Sequence, residues 1–192
     1  TTLTTPFVGN TKDNNNYLSY MFGSTNNADS SLVPSSLQTV KVTALTQVPS
    51  NAFRDCINLT AIEFTNDVTS IGAYAFYNNK NLQTLIIKGD EIFNIGKATS
   101  IGAHAFDSCV NIVPNNLVFT NNLKELGANA FSNTNVEYVY IPRTVDTVTN
   151  NAFSGCDSLK EARLYALDAF EAVTNNTGIV PKAESRDCGT IY

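Results

Sequence analysis

The sequence predicts a repeat solenoid, in which a parallel sheet of short strands alternates with short helical or 3-10 turns. Two observations carry this prediction: a dipeptide that recurs along the chain, and an apolar pattern that follows the copies of it. The dipeptide is Ala-Phe, and its phenylalanines are Phe53, Phe76, Phe106, Phe131 and Phe153. They lie 23, 30, 25 and 22 residues apart. Self-similarity at a period of about 20–50 residues is typical of repeat architectures.

Each copy of the dipeptide has matching neighbours. A branched aliphatic residue stands five positions before each phenylalanine: Val48, Ile71, Ile101, Leu126 and Val148. Apolar triplets typical of strands follow, and the clearest are Leu59, Ile62 and Phe64; Leu82, Leu85 and Ile87; Val136, Val139 and Ile141. Because successive strand residues point to opposite faces, we expect Ile62 and Phe64 to face the core and Glu63 to face outward. Each repeat would form one coil of the solenoid. Stacking the coils about 4.8 Å apart would join the apolar interiors of the repeats into one column.

The repeat extends beyond the five Ala-Phe copies. Leu37, Val40 and Val42 form a half-repeat before the first copy, and a weaker copy closes the set at Leu159, Ala162 and Leu164. We therefore interpret residues 1–192 as a single domain. It consists of an N-terminal repeat with an insertion (1–47), regular repeats (48–165) and a degenerate C-terminal repeat (166–192).

The longest interval between phenylalanines contains an inserted loop, Lys88 to Ser100, which is seven residues longer than its counterpart in the preceding repeat. Two extra residues also lie near Asn115. The apolar residues of the long insertion are Ile92, Phe93 and Ile95. An exposed apolar cluster is an aggregation liability unless it binds a partner, so we expect these residues to fold back over the edge of the core.

One repeat position is occupied by glycine three times, as Gly72, Gly102 and Gly127. A required positive φ would explain glycine, but the first repeat has Pro49 at this position, and proline cannot adopt that φ. We therefore expect the small size of glycine, or a bend in the chain, to be what the position requires.

Composition excludes some classes of partner. The chain has 12 basic and 17 acidic residues, a net charge of −5 and a pI near 4.7, which opposes the basic surface that nucleic-acid binding needs. No stretch approaches the roughly 18 consecutive apolar residues of a membrane span, and residues 1–10 lack the pattern of a signal peptide. We expect no membrane insertion by this segment, and any export signal or anchor to lie outside it.

The phrases VTSIGAYAF (68–76), ATSIGAHAF (98–106) and LKELGANAF (123–131), each with its following strand pattern, resemble the BspA-like, or Treponema-type, leucine-rich repeats. YMFG (20–23) and VPSSLQTVKV (33–42) are also similar to stretches of such proteins. The resemblance implies a leucine-rich-repeat right-handed superhelix. It also implies a bacterial cell-surface or secreted location and a role in adhesion to host proteins or other cells.

The two ends of the sequence match parts of a repeat. Leu3 to Phe7 is similar to the end of a repeat strand, and Thr190 to Tyr192 to the start of another. We therefore expect the chain to be a fragment of a longer surface protein.

The residues offer little for catalysis, and we expect no enzyme activity, no cofactor and no metal site. The single histidine, His104, stands just before Ala-Phe, where the other repeats have Asn51, Tyr74, Asn129 and Asn151. Such unlike polar residues indicate an exposed surface position rather than a catalytic one. No phosphate-binding loop, HExxH motif or glycine-rich dinucleotide turn is present in the sequence.

Three cysteines, Cys56, Cys109 and Cys156, each follow their phenylalanine by three residues, in alternate repeats. Two steps of about 4.8 Å exceed the Cα separation of about 7 Å that a disulfide allows. We expect them to be free thiols that fill the core as small apolar side chains. Cys188 lies outside the repeat, and a bond between it and Cys156 stays open as an alternative.

The outward residues of the strands suggest where a partner would bind. The residue between the second and third core positions is, in order, Lys41, Glu63, Ile86, Val118, Tyr140 and Arg163. The first two form a charge pair, and the next three form an apolar ridge. Tyr138, Tyr165 and Pro142 extend the patch. We predict that Tyr138, Tyr140, Arg163, Tyr165, Ile86 and Val118 contact a protein or glycan ligand, because tyrosine and arginine are common in binding sites.

Two alternatives to this binding site stay open. The tyrosines could pair across strands to stabilise the sheet, or be covered by a further repeat. In that case the chain would be a structural spacer or an accessory domain in a larger surface protein or enzyme. The identity of the ligand and the oligomeric state do not follow from the sequence, because a fold of this kind does not determine its function.

Overall fold

The structure, a computed structural model, describes residues 1–9, 16–89, 95, 97–112, 116–149, 151–164 and 182–183. Its longer strands are β1 Thr2–Thr5, β2 Thr39–Val42, β3 Ala61–Phe64, β5 Thr84–Ile87, β7 Asn116–Val118, β9 Tyr138–Ile141 and β11 Glu161–Leu164. The two-residue strands are β4 Ser70–Ile71, β6 Ser100–Ile101, β8 Glu125–Leu126, β10 Thr147–Val148 and β12 Lys182–Ala183. Within the described part of the chain, the one helix is the 3-10 helix Leu18–Phe22.

The chain is a parallel-strand solenoid, as the sequence predicts. Its longer strands form two sheets, ordered β1-β2-β3-β5 and β7-β9-β11-β12, and every pairing is parallel. Leu3 pairs with Val40 in the first of these sheets, so the N-terminal segment is a repeat strand. Among the described residues, no ladder joins β5 to β7. These two strands border the predicted insertions.

A second line of strands was not predicted from the sequence. The short strands β4, β6, β8 and β10 form their own parallel sheet at the branched aliphatic positions. Val48 continues the line through a bridge to Ile71. The Ala-Phe segments between the strands are turns that hydrogen-bond from coil to coil.

The core contains the phenylalanine column that the repeat predicts. Phe53, Phe76, Phe106, Phe131 and Phe153 are each 0% exposed. Successive rings stack with centroids 5.6, 5.0, 5.0 and 5.8 Å apart and with interplanar angles of 2°, 16°, 13° and 13°. The inward–outward alternation is also confirmed, since Ile62 and Phe64 are buried while Ala61 and Glu63 are half-buried.

The Ala-Phe turns depend on left-handed backbone at two fixed positions. The residue before Ala-Phe has φ between 55° and 68° in every copy: Asn51, Tyr74, His104, Asn129 and Asn151. The residue two after Phe also has positive φ: Asp55, Asn78, Ser108, Asn133 and Gly155. This conformation lets alternate amides of one coil donate to the next, as Phe53 does to the Ala75 carbonyl (2.7 Å) and Phe76 to that of Ala105 (2.9 Å).

The recurrent glycines are explained by close approach of the backbone, as expected. A Cβ on Gly102 would lie 2.4 Å from the Ala73 nitrogen, and one on Gly72 would lie 2.4 Å from the Ser50 nitrogen. Neither glycine has a positive φ. Small size at this position therefore allows neighbouring coils to pack at the stacking distance.

The insertion after β5 is anchored at its base. Asp67 accepts hydrogen bonds from Lys88 (2.8 Å) and Lys97 (3.1 Å), which lower the pKa of its carboxyl group. Ile95 is buried at 4% exposure, so the expectation that it folds onto the core is confirmed. Ile92 and Phe93 lie outside the described residues.

Truncating the centre of the phenylalanine column tests the stacking. We expect Phe106→Ala to lower the free energy of unfolding by about 3–5 kcal/mol, because it removes a fully buried ring and leaves a cavity. The matched control is Val118→Ala, whose side chain is 64% exposed and should cost less than about 0.5 kcal/mol. Urea denaturation measures both, and equal losses in the two variants would contradict the column.

Candidate functional site

The outward residues align as the sequence predicts, but in two separate sheets. Lys41 pairs with Glu63 and Glu63 with Ile86 in the first sheet. In the other sheet the same line continues from Val118 to Tyr140 and Arg163. Lys41 Nζ lies 2.6 Å from Glu63 Oε1, as expected for the predicted charge pair.

A groove lies on the outward face of the second of these sheets. It has a volume of about 400 Å³ and is lined by Leu117, Val118, Tyr138, Val139, Tyr140, Glu161 and Arg163. The side chains of Leu117 and Val139 are buried, so these two residues contribute backbone to the groove. We call this feature the sheet groove. It contains four of the six predicted contact residues.

The apolar surface of the sheet groove is accessible. Val118 is 64% exposed and Tyr138 is 40% exposed, and both rank among the exposed large hydrophobic residues of the chain. Tyr140 is half-buried and Arg163 is exposed. This combination of apolar area with polar tips suits a contact surface.

The charged side chains beside the groove are paired. Arg163 Nε lies 3.0 Å from Glu161 Oε1 on the same strand. Lys160 Nζ bonds to Glu137 Oε2, which raises the pKa of the lysine, and it also lies 5.9 Å from the centre of the Tyr138 ring. Arg163 and Lys160 are therefore each paired with a carboxylate.

The structure separates the remaining predicted residues from the sheet groove. Ile86 is half-buried on β5 and does not line it. Pro142 is buried, so the expectation that it completes the surface patch was wrong. Tyr165 lies outside the described residues.

Sequence reasoning missed Glu161, which pairs in register with Tyr138. The strand pattern could have identified Glu161, since it occupies the first outward position of β11 just as Tyr138 does in β9. The predicted set follows the second outward position of each strand and adds Tyr138 only as a neighbour of Tyr140. Glu161 therefore did not enter the predicted set.

His104 is half-buried, so the expectation of an exposed position was wrong. Its ring stacks on Tyr74 at 4.7 Å, and Nδ1 lies 2.8 Å from Asp107 Oδ2. Nε2 faces Asn129 Nδ2 at 3.3 Å. With Nδ1–H donating to Asp107, Nε2 accepts from the Asn129 amide.

This histidine environment does not form a nucleophilic triad. The Ser132 hydroxyl lies within hydrogen-bond distance of two acceptors, Asn129 Oδ1 (3.1 Å) and the Asn151 carbonyl oxygen (3.0 Å), and neither of them is the imidazole. A general base must reach the proton that it removes. His104 instead joins neighbouring coils, because both of its ring nitrogens already have partners.

The thiols of Cys56, Cys109 and Cys156 are free and buried. Cys109 Sγ donates to the Phe76 carbonyl at 2.8 Å, and Cys156 Sγ donates to that of Phe131 at 3.1 Å. Burial raises the pKa of both Cys56 and Cys109 to about 12. They remain protonated near neutral pH, so they are poor nucleophiles and metal ligands. Cys188 lies outside the described residues.

The described residues hold neither a candidate metal site nor a candidate membrane span. No cluster of three or more histidine, cysteine, aspartate or glutamate side chains is placed to hold a metal ion in that part of the chain. None of its helices is long and apolar enough to cross a membrane.

Fold and repeat together define the class of protein, which is a leucine-rich-repeat solenoid. The family model described as BspA type leucine rich repeat region (6 copies) matches residues 91–171. Residues 91–171 are therefore similar to leucine-rich repeats of the BspA type. Repeats of this family form protein-interaction modules, and the family and fold are generally non-catalytic.

Solved structures agree with this assignment. The leucine-rich repeat protein of T. pallidum matches with 25% identity and a TM-score of 0.54 over 65% of this chain. One from Bacteroides ovatus matches with 22% identity and a TM-score of 0.55 over 66% of it. The chain spans 58% of the first protein and 39% of the second. No protein of curated function matches the chain.

The raised thiol pKa values predict a loss of stability in alkali. Unfolded thiols ionise near their ordinary pKa of about 8.5, whereas Cys56 and Cys109 in the folded chain stay protonated up to about pH 12. Stability is therefore fully present below about pH 8.5 and falls as the pH rises towards 12, by about 1–2 kcal/mol per thiol at pH 10.

Urea denaturation at pH 8 and pH 10 measures this fall. Cys109→Ala serves as the control, since it has one titrating thiol fewer and should lose less stability between the two pH values. An equal alkaline loss in the variant and the wild type would show that Cys109 does not contribute.

The Asp107 carboxylate is predicted to have a structural role. It is 6% exposed and accepts from His104, Ser108 and Asn133. Asp107→Ala leaves these donors without their acceptor and should lower the free energy of unfolding by about 1–3 kcal/mol. Asp157→Ala, at an exposed position, is the control in thermal melts. A neutral effect of Asp107→Ala would mean that the network does not stabilise the turns.

Proposed function

We propose that the chain is a non-catalytic interaction module, displayed at the cell surface or secreted, which acts in adhesion. In this proposal it binds a host protein or glycan through the outward face of β7, β9 and β11. The observation that carries the proposal is the sheet groove, where Val118 and Tyr138 leave large apolar area exposed. A contiguous exposed apolar patch with a polar rim is typical of an interaction site.

The location rests on the repeat class. Proteins with BspA-like repeats are typically cell-surface or secreted, and residues 91–171 are similar to such repeats. Binding by a rigid sheet also suits the scaffold, since strands hold their outward side chains in fixed register. A preformed surface loses little conformational entropy when a partner binds.

A structural spacer is the second candidate function, and the N-terminal half of the same face favours it. Apart from the half-buried Ile86, the outward residues of β2, β3 and β5 are Thr39, Lys41, Ala61, Glu63 and Thr84. These five are polar or small, and the two charged ones pair with each other. This half of the face therefore offers little apolar contact area and suits a supporting role.

Removing the two groove tyrosines distinguishes the two functions. We expect Tyr138→Ser with Tyr140→Ser to reduce binding to host matrix proteins, glycan arrays or whole cells by at least roughly tenfold, because aromatic anchors dominate binding energy. The melting temperature should change little, since Tyr138 is 40% exposed and Tyr140 is half-buried.

The matched control changes Thr39 and Lys41 to Ser, which occupy the same two outward positions on β2. This variant should bind like the wild type. Full binding by the tyrosine variant would contradict the proposed site. A strong loss of stability without any partner for the wild type would favour the spacer.

A further inference from the structure

We propose that His104, Asn129 and Ser132 form a proton-sensitive relay on the Ala-Phe turns. When the imidazole takes up a proton, the Asn129 amide rotates by half a turn, and the Ser132 hydroxyl then donates to the Asn151 carbonyl oxygen alone. A proton bound at one coil thereby strengthens the contact between the two coils that follow. None of these residues lines the sheet groove, so the relay is independent of the proposed binding site.

The repeat brings the members of this relay into line. His104, Asn129 and Asn151 occupy the position before Ala-Phe in three successive coils, and all three have positive φ. Ser132 directly follows the phenylalanine of the middle coil and is 3% exposed. His104 Nε2 lies 3.3 Å from Asn129 Nδ2. Ser132 Oγ lies 3.1 Å from Asn129 Oδ1 and 3.0 Å from the Asn151 carbonyl oxygen, so the polar groups form one unbroken line.

With a neutral imidazole, this line has one consistent set of donors. Nδ1–H donates to Asp107 Oδ2 at 2.8 Å, so Nε2 is an acceptor and takes a hydrogen bond from the Asn129 amide. Asn129 Oδ1 then faces the Ser132 hydroxyl. That hydroxyl has one proton for two acceptors, Asn129 Oδ1 and the Asn151 carbonyl oxygen. In the neutral state the two acceptors therefore compete for it.

A proton on Nε2 reverses the first link of the line. Both nitrogens of a charged imidazole are donors, so Nε2–H would face the hydrogens of the Asn129 amide. Half a turn of that amide replaces the conflict with a bond from Nε2–H to Asn129 Oδ1. Asn129 Nδ2 then donates to Ser132 Oγ, whose own proton goes to the Asn151 carbonyl oxygen. Every group stays paired, and the proton on Nε2 is the one proton that enters.

The position of the imidazole lets it be charged without leaving its place. The His104 side chain is 27% exposed, so solvent protons reach it. The Asp107 carboxylate supplies a counter-charge at 2.8 Å. Asp107 is itself held in place by hydrogen bonds from Ser108 at 3.0 Å and from Asn133 at 2.9 Å. The charged state therefore has a fixed ion-pair partner.

The coils on the other side of the imidazole also accept a positive charge. The Tyr74 ring stacks on His104 at 4.7 Å, and the Tyr77 ring meets it edge-on at 6.3 Å. The face of a tyrosine ring attracts cations. The Arg54 guanidinium lies 4.9 Å from the centre of the Tyr74 ring, and Arg54 Nε lies 3.3 Å from Asp55 Oδ2. Its pairing with Asp55 limits its repulsion of a charged imidazole.

The chain has one histidine, so a single imidazole signal reports proton uptake. NMR on the intact chain, labelled with carbon-13 and nitrogen-15, follows His104, the Asn129 side-chain amide and the Asn151 carbonyl carbon between about pH 8 and about pH 5. We expect the three signals to move with one midpoint. A coupling through the hydrogen bond should join Asn129 Nδ2 to His104 Nε2 at the higher pH and be lost at the lower. An Asn151 signal that stays constant while His104 titrates would overturn the relay.

Ser132→Ala separates the relay from a charge that acts through space. It removes the hydroxyl that carries the change, so the Asn151 carbonyl signal should no longer respond although His104 still titrates. A response as large as that of the wild type would show that the imidazole charge acts on Asn151 directly, which contradicts the relay.

His104→Asn is the matched variant without a titrating group. Its fold should be retained, because asparagine occupies the same left-handed position as Asn51, Asn129 and Asn151 in three other coils. The Asn151 carbonyl signal should stay constant across the same pH range. Movement of that signal in this variant would mean that another group drives it, and His104 would lose its assigned role.

Hydrogen exchange measures the strengthened contact itself. The amides of Phe131 and Asn133 donate to the carbonyl oxygens of Ala152 and Ser154 at 2.8 Å, so they report opening between these two coils. After correction for the intrinsic effect of pH, we expect their exchange in the wild type to be roughly threefold slower at about pH 5 than at about pH 8, because one hydrogen bond is strengthened. His104→Asn should show no such difference. Equal or faster exchange in acid in the wild type would refute the strengthened contact.

Discussion

The coil-to-coil hydrogen bonds of the Ala-Phe turns are the interaction on which the rest of the structure depends. The amides of Phe53, Phe76 and Phe106 each donate to an alanine carbonyl of the next coil, at 2.7–2.9 Å. These bonds fix the spacing at which the phenylalanine rings stack, and they require the same backbone conformation in every coil. Left-handed residues at two positions per turn supply that conformation.

Tyr74 and His104 show how strong this requirement is. Bulky residues rarely adopt the left-handed region, at a cost of about 1–2 kcal/mol each, yet both have φ near 55–58°. Their side chains offset the strain by stacking on one another at 4.7 Å, with the Arg54 guanidinium 4.9 Å from the centre of the Tyr74 ring. The half-buried histidine is thus a consequence of the backbone ladder.

Repetition explains which parts of this structure could be predicted from the sequence. The phenylalanine column, the inward–outward alternation and the register from Val118 to Arg163 recur in each coil, so the period alone places them. The short strands could not be found in this way, because two residues such as Ser70 and Ile71 carry no alternation. The left-handed turns could not be predicted either, because the position before Ala-Phe holds unlike side chains that share only a backbone conformation.

The candidate site was predictable only in part, for a related reason. Strand register places Tyr138, Tyr140 and Val118 on one face. The partner of each charge depends on side-chain conformation, which the repeat does not fix. Arg163 is exposed, and its bond to Glu161 could not be read from the repeat. Likewise, Pro142 follows β9 directly but is buried.

The two halves of the outward face can differ in residue type because the hydrogen bonds between coils do not depend on the outward side chains. Lys41 and Glu63 occupy the same register line as Tyr140 and Arg163, and neither set changes the backbone ladder beneath it. A substitution on this face therefore costs little stability, whereas one in the phenylalanine column disrupts the packing of neighbouring coils. The exposed apolar residues of the C-terminal half, such as Val118, are the feature on which the proposed binding function rests.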